Sequence, residues 1–264
     1  MRSTVIRRTA LASGAVCLAL LATACGGSDS GSGDGDKADA KGKESAAAKP
    51  AAEVLTAAEL EKAALAQGDV KGEKITKAAA KDIIAADDIT VDKEACTSFA
   101  RALMGTAIGE PAVSTQRHSI SEPKKGSKES EDSEDIDAAF AAAFDITTTQ
   151  INLASYEGKA AEETIAGLRT AATECSGGFG FTAAGEKQKV SKITEEQVEA
   201  GEEALAWTVT VEQDGEKVSF RLVAFRQGAT VASFSAFNLA EAAGEPGDYG
   251  LPTALVDGQA AKLA

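Results

Sequence analysis

The sequence predicts an α+β protein: an antiparallel sheet with a C-terminal three-strand meander and helices packed on one face, preceded by a signal peptide and a disordered tether. Three observations lead there. Leu205, Trp207, Val209 and Val211 fall at every second position, Asp214-Gly215 supplies a hairpin turn, and Val218, Phe220 and Leu222 repeat the period on the way back. Ala161, Ile165, Leu168, Ala172 and Cys175 recur at helical spacing, as do Cys96, Phe99, Ala100 and Leu103. The strands cluster instead of alternating with helices, which separates this pattern from a parallel α/β sheet.

The chain opens with three arginines (Arg2, Arg7, Arg8) and no acid in residues 1–8, followed by sixteen uncharged residues from Thr9 to Ala24. Such a run makes about 24 Å of helix, short of the roughly twenty apolar residues a membrane span needs. No basic stop-transfer cluster follows, so residues 1–24 read as a cleaved export signal. The order Leu21-Ala22-Thr23-Ala24-Cys25-Gly26-Gly27 resembles a bacterial lipobox, with Ala22 where leucine is commoner. It predicts that Cys25 becomes the first mature residue and takes a lipid, palmitate-like acyl chains included. The alternative is an ordinary cleaved signal that leaves Cys25 as a free thiol. Two or three acyl chains hold a protein on a bilayer where one is marginal. Arg7-Arg8-Thr9 leaves both the general secretory and the twin-arginine export routes open.

Gly26 to Ala52 contains no aromatic and no branched aliphatic residue. It cannot bury enough surface to offset chain ordering, so residues 25–52 are expected to be a lipidated, disordered tether with a reach of about 29 Å. Residues 53–264 then form a single extracytoplasmic domain with a polar, acidic insertion at about 122–136. Thr56-Ala57-Ala58-Glu59 has capping-box spacing and opens a short helix through Leu65. A helix follows over about Lys93–Met104, then a strand over Ala112–Ser121. The insertion carries Glu129, Glu131, Asp132, Glu134 and Asp135 but lacks the alternating order of a calcium loop, so it reads as a solvated loop. Phe140 and Phe144 suggest a short amphipathic helix after it. Next come a strand over Thr149–Glu157, a helix over Lys159–Glu174 and the meander, whose second turn is Arg226-Gln227-Gly228. Pro252 opens a last helix bearing Leu255, Val256 and Leu263.

Of four cysteines, Cys17 leaves with the signal and Cys25 takes the lipid, which leaves Cys96 and Cys175. An even pair in an exported chain reads as a disulfide. Cys96 opens one apolar helical stripe and Cys175 closes another, so both face the core. A redox-active or metal-binding pair would call for closer cysteine spacing or a nearby histidine, and neither is present.

The order strand, helix, cysteine, Gly-Gly, meander, terminal helix resembles the extracellular sensor domain of the actinobacterial PknH-type kinases and its stand-alone lipoprotein relatives. The residues that carry the resemblance are Asn152–Tyr156, the helix ending at Cys175, Trp207–Val211, Arg221–Arg226 with Gly228, the terminal helix and the earlier helix holding Cys96. The family's tryptophan shortly before the helix cysteine is absent, the helix here ending Ala172-Thr173-Glu174-Cys175. The resemblance implies a curved sheet with a groove for an extracellular ligand, and places no binding residue.

Formal charge is −14, and the chain without its signal is more negative by the three arginines lost. That argues against nucleic acid as a partner. His118, inside a strand, is the only histidine, and no Gly-x-Ser-x-Gly elbow accompanies it. Zinc ligands are too few. Ser176-Gly177-Gly178-Phe179-Gly180 follows a helix where a phosphate loop precedes one, so its glycines end that helix. Trp207 and Tyr156 read as core before pocket. Val223 and Phe225 face away from Phe220 and Leu222, so a groove is expected where one face is left uncovered. No catalytic, cofactor-binding or metal residue emerges. The expected protein is a non-enzymatic, ligand-binding or sensory lipoprotein, lipid-anchored on the extracytoplasmic side of the cell membrane. Its expected partners are the membrane, through the N-terminal lipid, and a small apolar ligand or an envelope protein. A structural envelope lipoprotein with protein partners and no small ligand is the alternative, and a hydrolase using His118 is a third reading.

Overall fold

The first helix, α1 (Ala57–Ala63), forms where the capping box predicts. The Thr56 hydroxyl accepts from Glu59 N, and the Glu59 carboxylate accepts from Thr56 N. The computed structural model describes residues 53–122, 144–213, 215–244 and 249–264, all within a unit spanning Lys49–Ala264. The signal, Cys25, the tether, Phe140, Asp214 and nearly all of the acidic insertion lie outside the described residues.

After α1 come β1 (Glu73–Lys77) and β2 (Ile89–Val91). A 3₁₀ turn, Glu94–Cys96, runs into α2 (Thr97–Leu103), and β3 (Val113–Ser121), β4 (Thr147–Ser155) and α3 (Ala160–Glu174) follow. The chain then passes through β5 (Phe179–Ala183), β6 (Glu186–Glu196), β7 (Glu203–Gln213), β8 (Glu216–Gln227) and β9 (Thr230–Asn238). It ends with α4 (Leu239–Ala242) and α5 (Thr253–Leu263). Among the described residues nine strands make one sheet in the order β1-β3-β4-β9-β8-β7-β6-β5-β2. Every neighbouring pair is antiparallel, as the α+β reading requires.

The meander has five strands, β5 to β9, where alternation predicts three. Along β6 only Val190 is buried, so the strand has no period-two stripe to read. It is held by its register with β7, with a bulge between Val190 and Lys192. Its hairpin to β5 turns on Ala184 (φ 50°) and Gly185 (φ 84°), a conformation usually signalled by Asn-Gly and here built with alanine.

Successive strand residues point to opposite faces, and β8 shows how the core divides. Leu222 and Ala224 join one cluster with Phe99, Leu168 and Trp207, under α2 and α3. Val223 and Phe225 join the other with Leu60, Phe234, Leu255 and Val256, under α1 and α5. Helices therefore cover both faces, which corrects the expectation of one. The Val223–Phe225 face is core, closed by the terminal helix, and not an open groove.

Two crosslinks hold the helices. Arg117, buried on β3, donates from Nε to Leu65 O (2.9 Å), from Nη1 to Thr115 Oγ1 (2.9 Å) and from Nη2 to Glu61 Oε2 (2.9 Å), clamping α1 to the sheet. Cys96 and Cys175 form the expected disulfide, with a Cα–Cα distance of 5.9 Å across 79 residues of sequence. It ties the start of α2 to the end of α3, and both cysteines are fully buried.

Candidate functional site

The disulfide-helix face is not wholly covered. α2 stops at Leu103, and the chain turns away through Gly105 at φ +67°. A side chain there would be both strained and obstructed, because a Cβ would lie 2.6 Å from Gln150 Cβ. Beyond this turn the sheet surface opens as a pocket of about 270 Å³. Its floor is Val211, Val218, Phe220, Ser235 and Phe237, its walls Leu103 at the end of α2, Met104 just after it, and Ala242 of α4. Phe220 and Phe237 are register partners, with ring centroids 5.3 Å apart. Both rings are half-buried, unlike the sealed contact of Phe99 with Trp207 in the core.

Three glutamines, Gln150, Gln188 and Gln213, edge the pocket. The Gln213 amide donates to the Glu186 carboxylate. Among the described residues no group engages the side-chain amides of Gln150 and Gln188. None of the eleven lining residues is charged, in a chain of which 26% is. Ser235 supplies the one hydroxyl, and it donates to Leu103 O at 2.6 Å.

Gln150 also borders a second pocket of about 250 Å³, lined as well by Ala78, Asp82, Gln116, Arg117 and His118. The register explains the adjacency: His118 pairs with Gln150 and Gln150 with Ser235, a row across one face of the sheet. The two pockets share Gln150; the first is an apolar groove and the second is polar. In the polar pocket His118 Nε2 lies 2.5 Å from Thr148 Oγ1. Thr148 is itself buried and does not line the pocket, so its hydroxyl is committed to the imidazole.

A third cavity, about 410 Å³, lies on the opposite face near the start of α5 and includes Glu73, Glu122, Asp145 and Tyr249. Burial raises the Glu73 carboxyl above its usual range.

Trp207 and Tyr156 are core, as read from sequence. Trp207 packs on Phe99, and the Tyr156 hydroxyl donates to Ile108 O at 2.6 Å. Sequence reasoning missed Gln150, Gln188 and Phe237 as groove residues; the available signal was polar glutamines on strands beside apolar neighbours. Among the described residues no cluster of three or more His, Cys, Asp or Glu is placed to hold a metal ion, and no helix is long and apolar enough to cross a membrane.

No family model matches the chain, and no curated protein matches it. Among solved structures it is similar to the extracellular domain of PknH from Mycobacterium tuberculosis. Identity is 13% and the TM-score 0.42, over 80% of this chain and 95% of that one.

Proposed function

We propose that this chain is a non-enzymatic, extracytoplasmic ligand-binding or sensory domain, held at a membrane through an acylated Cys25. The groove carries the binding reading. Two half-buried phenylalanine rings and two unengaged amides share one concavity, whereas residues serving only as core lie sealed beneath helices, as Phe99 and Trp207 do. Concave, mostly apolar sites with a few polar groups are the usual form of a small-ligand site. The N-terminal order supports envelope location and the lipid. The fully buried disulfide supports the envelope location alone, since such a crosslink persists where thiols are oxidised. The apolar end offers no titratable group or free hydroxyl for chemistry.

The test is native mass spectrometry of residues 53–264, exported into a bacterial envelope and purified without detergent. A stoichiometric small molecule, absent from a folded Phe220→Asp variant, is the expected result. An empty domain that reproducibly brings down an envelope protein favours the structural-lipoprotein reading instead. Turnover of ester or glycosidic probes, lost in His118→Ala, would overturn both.

A further inference from the structure

Resting on that reading, we infer that the occupant of the groove is an uncharged, single-chain amphiphile. Its apolar segment lies on Phe220 and Phe237, and its neutral head, rich in hydroxyl or amide groups, meets Gln150 and Gln188.

Charge is the first argument. An ionic group entering the apolar end would find no counter-charge among the lining residues, and an unpaired buried charge is strongly disfavoured. Volume is the second. A cavity of 150 Å³ accommodates benzene, so about 270 Å³ holds roughly a ten-carbon segment and excludes a pair of acyl chains. Chemistry is the third. Each amide offers both donors and an acceptor, which matches hydroxyls and amides. A bare hydrocarbon would leave Gln150 and Gln188 unengaged, and a bare sugar would leave the phenylalanine floor against water.

The test uses residues 53–264, which contain all nine strands, both cores and the disulfide. Calorimetric titration compares 1-decanoylglycerol, decanoate and decyltrimethylammonium, each below its micelle concentration. The neutral probe is expected to bind at least tenfold more tightly than either ion, and Gln150→Ala to weaken it about fivefold, the equivalent of one neutral hydrogen bond. Phe220→Asp should abolish binding. Gln188→Glu, at a half-buried position that tolerates charge better, should weaken it if the first variant does not fold. Equal or tighter binding of an ion overturns the neutral head and leaves the ligand-binding reading standing. Unchanged binding in both groove variants places the amphiphile elsewhere and overturns the inference. No binding of any probe, with another small molecule retained in the mass spectrum, removes the amphiphile class alone. No binding and an empty protein remove both.

Discussion

At the residue scale, Glu61 shows how one carboxylate couples a helix to the sheet. Lys77 and Thr115 hydrogen-bond it, Arg117 adds its guanidinium, and together they hold the carboxyl down at about 2. A depressed carboxyl contributes stability that is complete above its unfolded value near 4.5 and disappears as pH falls through about 2. More than a third of the side chain is exposed, so the contribution is modest. Glu61→Gln should cost about 1 kcal/mol at pH 7, and the gap from wild type should shrink between pH 4.5 and 2. Urea denaturation at a series of pH values measures it, and a gap independent of pH contradicts the clamp. Arg117 was not readable as a buried residue from sequence, because its acceptors, Glu61 in α1 and Leu65 just beyond it, lie more than fifty residues away.

At the element scale, the β5–β6 hairpin holds Ala184 in the left-handed region, at a cost of roughly 1 kcal/mol to an L-residue. Ala184→Asn should therefore stabilise the protein by about 0.5 kcal/mol, visible as a higher urea midpoint; an unchanged or lower midpoint contradicts that turn. The disulfide acts on a larger loop. In the chain-entropy model, closing 79 residues contributes about 4.5 kcal/mol, so reduction should lower the melting temperature on the order of 10 °C. An identical melt with and without reductant would count against the bridge. Because α2 runs from that bridge to the groove wall at Leu103 and Met104, reduction should also loosen the groove. Elements with a clear apolar period, α3, β7 and β8, were legible in the sequence to within a few residues. Strand β6, with charge on both faces, and the three-residue edge strand β2 were not, because tertiary pairing and not their own pattern makes them strands.

At the scale of the whole molecule, one sheet carries two cores, and the groove exists because α2 is too short to cover its own face. That shortfall could not be read from residue types. Phe220 looks like any other inward strand residue until the extent of the helix above it is known. The proposed lipid anchor belongs to this scale as well: Cys25→Ala is expected to move the protein from the membrane to the aqueous fraction, and unchanged retention after carbonate washing would contradict acylation. The groove is tested most directly by Met104, which forms its wall and is the only methionine within residues 53–264. In protein labelled with ¹³C at the methionine methyl, 1-decanoylglycerol should shift that single resonance saturably while the fluorescence of core Trp207 stays constant, and Phe220→Asp should remove the shift. A Met104 methyl that stays in place while the ligand binds would contradict the account.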